Sequence, residues 1–469
     1  MFKRFTLTVA VLLLAGCANN PGYQPLAVAL PTSWSVQNAQ LAGSAGDAWW
    51  KLYGDAQLDQ LVEEALLYNS NLALAVARVD EARAQLGFTR ADQAPSVDAT
   101  FERGRRQSSD IGSIPLPPGA PRKRNDYRAQ LNVAYELDLW GRLRQATAAA
   151  SADLLASEAA RDTVRITLAA EVVQGYFALR AFDAQIVATQ RSVDTRSEWL
   201  VLQQKRLDEG VISEFDYRQL EADAAAARAQ LPSLENERGR QENALAVLLG
   251  RSPKLIYEGQ IARAAEPNDA PSPLLVPGGL PSELLLRRPD LIEAEQRLIA
   301  ANARIGAARA ALFPAVSLTG FLGSESTVLR DLFSGPAGIW SLAASIAQPI
   351  FAGGRLKAGI AVTEAREQQA LAQYQQAIQN AFREVRDAIY AQQKMRERFT
   401  AEDQRATALR QSLHLSRLRY ENGVASQLDV LDAERNLLNA EQSRADALRA
   451  QRAAVADLFK ALGGGWDSY

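Results

Sequence analysis

The chain has 469 residues, enough to bury one large core or several, and its 52 basic and 54 acidic residues leave a formal charge of −2. Such a balance gives no global field of the kind that gathers nucleic acid or an anionic membrane surface. His414 is the only histidine and Cys17 the only cysteine, which excludes disulfides within the chain, Cys/His metal sites and most nucleophile–histidine machinery. Serine-elbow, phosphate-loop, zinc-helix and dinucleotide motifs are absent too, so the sequence argues against an enzyme.

The first element is a cleavable signal peptide over residues 1–16. Lys3 and Arg4 precede an apolar run, Leu7 to Leu14, that is too short to span a bilayer as a stable anchor. It ends in Leu14-Ala15-Gly16-Cys17, which resembles a bacterial lipobox, so Cys17 is expected to carry a covalent lipid and to open the mature chain. An ordinary signal peptide with an incidental cysteine is the competing reading. Each buried CH₂ contributes about 0.8 kcal/mol, so two or three acyl chains anchor a protein durably. That lipid is the only non-protein group expected; no cofactor is. Residues 17–57 form a Pro- and polar-rich leader that contains Trp49-Trp50, and Ala18 rather than an aspartate fits sorting to the outer membrane.

A helical pattern beginning near Leu58 opens a unit that occurs twice. Leu72, Gly87 and Pro95 recur as Leu291, Gly306 and Pro314 with identical internal spacing. Gly141-Arg142-Leu143-Arg144 recurs as Gly354-Arg355-Leu356-Lys357, Arg206–Asp216 as Arg419–Asp429, and Leu249-Gly250 as Leu462-Gly463. The units take residues 58–250 and 290–469, the second including the C-terminal tail, and a proline-rich connector over 251–289 joins them. Each unit reads helix, two strands, very long helix, tight turn, shorter helix.

From Tyr127 to Leu139 the odd positions are apolar and the even ones mostly polar, a period of two. Val97, Ala99 and Phe101 alternate likewise, as do Val316, Leu318 and Leu322, and Trp340, Leu342, Ala344 and Ile346. Each segment approaches the roughly 9–11 residues of a tilted transmembrane strand. Loops near Pro115–Arg124 and Ser324–Pro336 separate the strands of each pair. From Leu143 to about Glu209, and from Leu356 to about Asn422, there is no proline; helices of that length would run roughly 100 Å. Leu371, Tyr374, Ile378, Phe382, Val385 and Ile389 keep the spacing of a packing seam. Return helices should begin near Ser213 and Ser426.

Four amphipathic strands pose a problem of closure. In hydrocarbon an open sheet edge leaves N–H and C=O groups unpaired at several kcal/mol each, and a closed barrel takes about eight strands even when side chains fill it. The chain is therefore expected to close with copies of itself. A homotrimer would supply twelve strands, with the polar face lining a wet lumen, and the helices would continue the wall as a helical barrel. The fold class expected is a mixed α and β membrane protein.

The stretches Glu136–Arg142 (ELDLWGR), Arg288–Leu318, Gln348–Arg355 (QPIFAGGR) and Leu462–Trp466 (LGGGW), with Trp49-Trp50, Leu58 and Leu61, resemble the outer-membrane efflux factors, the TolC/OprM-like family, in its lipoprotein branch. The resemblance covers nearly the whole mature chain. It implies a trimer with a twelve-strand barrel, a twelve-helix periplasmic tunnel closed at its far end, and an equatorial region at the connector. It also implies service to an inner-membrane RND-type multidrug pump through a periplasmic adaptor. The exit duct of a type I protein-secretion system is the nearest alternative, a structural coiled-coil lipoprotein the next.

Candidate sites lie at the turns. Gly210 and Gly423 stand where a helix would end on a left-handed residue, and Ser213 and Ser426 would cap the next helix, with Asp216 and Asp429 three residues on. Well-made hairpins are all that spacing requires. The resemblance implies that Gly210, Val211, Ser213, Gly423, Val424 and Ser426 contact the adaptor. Asp429 and Asp432 share one helix face; acids there complement a helix N-terminus, and in a trimer they would form carboxylate rings that repel anions and attract cations. The resemblance makes them a periplasmic gate, with Tyr420 and Asp216 in the bonds between helices that keep it shut. Some relatives carry an arginine two residues after the glycine, where this chain has Ala425.

Overall fold

The computed structural model describes residues 48–109, 117, 119, 121–264 and 284–465. The expected signal peptide and lipidation site Cys17, the leader before residue 48, the middle of the connector and Trp466 lie outside the described residues. Two units emerge, one built from Arg78–Ser157 and Glu293–Tyr374, the other from Glu158–Ile292 with residues 48–77 and 375–465.

The first unit carries one antiparallel sheet, in the order β1 (Ser96–Gln107), β2 (Lys123–Leu137), β3 (Ala315–Ser326), β4 (Gly338–Ala347). β1 and β2 reach further along their hairpin than the alternation indicated, and β2 stops at Leu137 rather than Leu139. The early stop has a local cause. Asp138 turns its carboxylate onto the start of the next helix, accepting from the backbone N–H groups of Leu143 at 3.2 Å and Arg144 at 2.8 Å, and Gly141 takes a positive φ of 81° to make the bend. The loop expected over Ser324–Pro336 is shorter, because β3 runs to Ser326 and two single 3-10 turns fill the remainder.

Register decides what each face presents. Val97 pairs with Val133, Ala99 with Leu131, Leu131 with Leu322, and Leu322 with Trp340, so the apolar residues of four strands share one face, and that face is bare: Trp340 is 77% exposed and Leu342 78%. The opposite face is polar and cross-linked. Asn132 donates to Thr100 at 3.2 Å, and Arg128 donates to Glu325 on the neighbouring strand. Among the described residues, the outer sides of β1 and β4 are sheet edges without a partner strand.

Helix α1 (Ala56–Tyr68) and helix α2 (Ser70–Ala91) replace the single helix expected near Leu58. They part at Asn69, whose side-chain oxygen accepts from the backbone of Asn71 and Leu72 at 2.9 and 3.0 Å while its amide donates to the Leu248 carbonyl at 2.8 Å. Asparagine thus caps one helix and ties off another, a role incompatible with continuing α1. The long helices α3 (Arg142–Asp208) and α4 (Glu214–Leu248) follow, of 67 and 35 residues. Short helices α5 (Pro253–Glu258) and α6 (Leu284–Arg287) lie in the connector region.

The second set repeats these lengths: α7 (Pro289–Ala310), then β3 and β4, then α8 (Arg355–Glu421) of 67 residues and α9 (Gln427–Ala461) of 35. At the joint between α6 and α7, Arg288 does what Asn69 does. Its guanidinium donates to the Ala461 carbonyl at 2.7 Å and holds Asp290 and Glu384, each at 2.7 Å. Gly250 and Gly463 let these joints close. A Cβ on Gly250 would lie 2.0 Å from the Tyr68 carbonyl oxygen, one on Gly463 3.0 Å from Arg288 Cα.

The sequence stretches singled out above are such joints. In the sheet unit Trp140 donates to the Pro314 carbonyl at 2.8 Å and stacks on Phe313 at 5.0 Å, and Gln348 donates to the Leu312 carbonyl at 3.0 Å. In the other unit Trp49 stacks on Phe459 at 4.8 Å, and the Tyr53 hydroxyl donates to the Arg452 carbonyl at 2.8 Å. Trp50, Leu58 and Leu61 are buried with them. The seam of α8 sits slightly off the expected stripe: Tyr374, Ile378 and Val385 are buried, but Ala370, Ala381 and Ala388 take the deepest remaining places instead of Leu371, Phe382 and Ile389. Small residues at the contact line let helices approach closely, which pushes larger ones to the flanks.

Candidate functional site

The hairpins α3–α4 and α8–α9 end in two turns of the same construction. At the first, Gly210 takes φ 68°, its N–H reaches the Leu207 carbonyl at 2.9 Å and the Val211 N–H reaches the Arg206 carbonyl at 2.8 Å. At the second, Gly423 takes φ 70°, with Gly423 N–H to Tyr420 at 2.9 Å and Val424 N–H to Arg419 at 2.9 Å. Both therefore satisfy their last carbonyls through a left-handed glycine, as the Gly-Val spacing suggested. Ser213 and Ser426 then cap α4 and α9, and each accepts from the backbone N–H three residues on.

The caps differ in detail. Asp429 closes a full capping box: its carboxylate accepts from the Ser426 N–H at 2.8 Å and from the Ser426 hydroxyl at 2.8 Å. Those bonds hold its pKa below the usual carboxylate range, the hydroxyl contributing most. Asp216 accepts from the Ser213 hydroxyl at 2.7 Å. Asp432, one turn beyond Asp429, pairs with Arg435 on its own helix and is exposed. The turns themselves present apolar side chains to solvent: Val211 is 60% exposed, Val424 65% and Phe215 75%.

Tyr420 is bonded across to a second helix. Its hydroxyl accepts from Arg206 and, at 3.3 Å, from the amide of the fully buried Gln203, and its ring lies 5.2 Å from Trp199. The bond joins α8 to α3. Asp216 stays with its own cap.

Farther from the tips, all four helices meet in a buried charged layer. Arg196 of α3 lies 3.0 Å from the Asp223 carboxylate of α4 and 4.0 Å from Glu434 of α9, and Arg417 of α8 holds Glu434 at 2.7 Å. Arg196 and Glu434 are 6% and 7% exposed. Sequence reasoning missed Arg196, Trp199, Gln203 and Arg206. Their spacing of three, four and three puts them on one face of a helix, a legible stripe whose partners are nonetheless distant in sequence.

Among the described residues, no helix is long and apolar enough to cross a membrane and no cluster of His, Cys, Asp or Glu is arranged to hold a metal ion. Comparison with known proteins gives a match to the family described as outer membrane efflux protein over residues 61–251 and 280–464. The chain is 37% identical to outer membrane protein OprJ of Pseudomonas aeruginosa over 461 residues, covering 97% of this chain and 94% of that one. It is 34% identical over 459 residues to the cation efflux system protein CusC of Escherichia coli, covering 97% of each. Its fold matches the crystal structure of the Campylobacter jejuni CmeC outer membrane channel with a TM-score of 0.89 at 25% identity, covering 96% of each chain.

Proposed function

The chain belongs to the outer membrane efflux protein family, channels rather than enzymes, and is an outer-membrane efflux channel that extends into the periplasm; from that premise we propose that three copies form the exit duct of a tripartite multidrug efflux pump. The observation that carries this reading is the sheet. Its four strands expose one continuous apolar face, bond across the polar one and, among the described residues, leave the outer edges of β1 and β4 without a partner strand. In hydrocarbon such edges must be filled, and the same four strands from two further copies fill them. The apolar face then meets lipid and the polar face lines the lumen, with the helices continuing the wall as a twelve-helix barrel. The equal lengths of α3 and α8, and of α4 and α9, support one unit used twice, over residues 58–250 and 290–469, around a connector at 251–289.

In this assembly Cys17 carries the lipid anchor after removal of residues 1–16. The exposed tips at Gly210, Val211, Ser213, Gly423, Val424 and Ser426 dock a periplasmic adaptor, which couples the duct to an RND-type inner-membrane pump. Asp429 and Asp432 ring the closed aperture, and Tyr420 keeps it shut through Arg206 and Gln203, with Asp216 bracing the cap. An adaptor and pump that bind the open arrangement better shift helix packing toward it. No cofactor takes part.

Cargo divides the relatives, since CusC is named for cation efflux. With two methionines, one cysteine and one histidine, this chain has almost no soft donors, which favours organic compounds over soft metal ions. A deletion strain complemented with the gene, challenged with a panel of drugs and metal salts, tests the reading: regained resistance to drugs, with heat-modifiable trimers in the outer membrane, is expected. Secretion of a protein substrate without any change in drug susceptibility would move the assignment to type I export.

A further inference from the structure

The apolar face of the sheet ends in cations. On β2 the side chains of that face run Leu137, Tyr135, Val133, Leu131, Ala129 and Tyr127, followed by Asn125 and Lys123. From Leu137 to Tyr127 the strand climbs about 33 Å, or roughly 25 Å along the membrane normal at a tilt of about 40°, which is the height of the apolar band of an outer-membrane barrel. Just beyond it on β1, Arg103 pairs in register with Tyr127 and Arg105 with Asn125. The Arg103 guanidinium lies over the Tyr127 ring, 5.9 Å from its centre.

These three cations are exposed, and among the described residues no carboxylate pairs with Arg103, Arg105 or Lys123. They sit at the hairpin end away from α2 and α3, which join the opposite ends of β1 and β2. On the β3–β4 hairpin Ser326 stands level with Tyr127, Ser324 and Gly338 one step below it, and beyond the strand Arg330 is paired with Asp331. Among the described residues, the cations without a carboxylate partner at this end of the face therefore lie on the first hairpin.

We propose that Arg103, Arg105 and Lys123 form a binding site for lipid phosphate in the outer leaflet of the outer membrane. The proposal rests on the apolar face meeting lipid, as read above. Tyr127 marks the boundary where amphipathic rings gather, the two guanidinium forks match phosphate oxygens in pairs, and Lys123 adds a point charge. Arg106 and Arg124, opposite each other on the polar face, look into the lumen and take no part.

The test uses the full mature protein in detergent, with diphosphoryl lipid A as probe and its dephosphorylated form as control. Wild type binds the phosphorylated lipid in preference. R103Q/R105Q/K123Q binds it on the order of 100-fold more weakly, at about one kcal/mol for each basic residue near an anionic surface, while R106Q/R124Q binds as wild type does. Every variant is checked for heat-modifiable trimers and outer-membrane fractionation. Equal affinity of the inserted triple variant and wild type overturns the site and leaves the duct standing, as does equal binding of the dephosphorylated lipid. A wild type without membrane-embedded trimers overturns both.

Discussion

Replacing Tyr420 by phenylalanine removes one oxygen and leaves the ring beside Trp199 in place. The phenol oxygen accepts from Arg206 and Gln203, and the consequences of losing it differ for the two donors. Gln203 is fully buried, and its amide oxygen already lacks a partner, so its N–H group would be stranded at a cost of about 1–2 kcal/mol. Arg206 is half-buried and can turn to water, which limits its share to about 0.5–1 kcal/mol. The link between α3 and α8 is thus weakened by about 2 kcal/mol, a roughly 30-fold change in the ratio of open to closed hairpins. Single-channel recording of purified Y420F in planar bilayers should show more frequent and longer openings, and cells without the adaptor should admit a large antibiotic that wild type excludes. D216N should leave both measurements unchanged, because its partner is Ser213 in its own cap. Recordings of Y420F that superimpose on wild type, with D216N altered instead, would refute this wiring.

The cap at Asp429 gives a pH prediction. Its carboxyl is held below its ordinary value by Ser426, so the cap contributes stability above the unfolded carboxylate value, near 3.9, and loses it as pH falls through the lower folded value. S426A should return the Asp429 titration, followed by NMR, to the ordinary range, and the pH at which cation block of the channel disappears should rise with it. R288A should destabilise the protein by about 1–3 kcal/mol by leaving the buried Ala461 carbonyl without its donor, read as earlier thermal loss of trimers, and R288K should recover only part. V211D and V424D should abolish drug efflux while heat-modifiable trimers still form; retained resistance would remove the docking role. N69A should cost about 1 kcal/mol through loss of the α2 cap, measured by chemical denaturation.

The elements whose period is local could be read from the sequence, and the joints could not. Alternation fixed the four strands and their faces because a one-residue slip would turn Leu131 or Leu342 to the polar side. The 67-residue helices were legible because nothing in them breaks a helix, and their ends because Gly210, Ser213, Gly423 and Ser426 are residues whose backbone and side-chain chemistry is specific to caps. Asn69 reads as one more polar position on a helix until Leu248 is brought to it from the far end of the hairpin. Arg288 likewise reads as the start of the string Arg288–Leu318, yet its work is to satisfy Ala461 and two acids. The partners of Tyr420 were missed for the same reason: Arg206 and Gln203 lie on another helix, and spacing along the chain carries no information about which helices meet.

The link at Tyr420 also bears on how the duct opens. The first unit has Leu207 where the second has Tyr420, in the repeats Arg206–Asp216 and Arg419–Asp429, so the bond occurs once per chain and joins unlike hairpins. At about 2 kcal/mol each, three such links in a trimer would hold the aperture shut by roughly 6 kcal/mol. A partner must therefore prefer the open tips by about as much, since moving a two-state equilibrium from one extreme to the other takes about 5.5 kcal/mol of differential affinity. One small contact would not supply that. Six exposed tips, each with a bare valine at Val211 or Val424, need only about 1 kcal/mol of preference apiece, within reach of burying part of one valine side chain. On the proposed assembly, weak docking repeated at every tip would suffice to open the channel, and removing either valine should impair opening more than it impairs assembly.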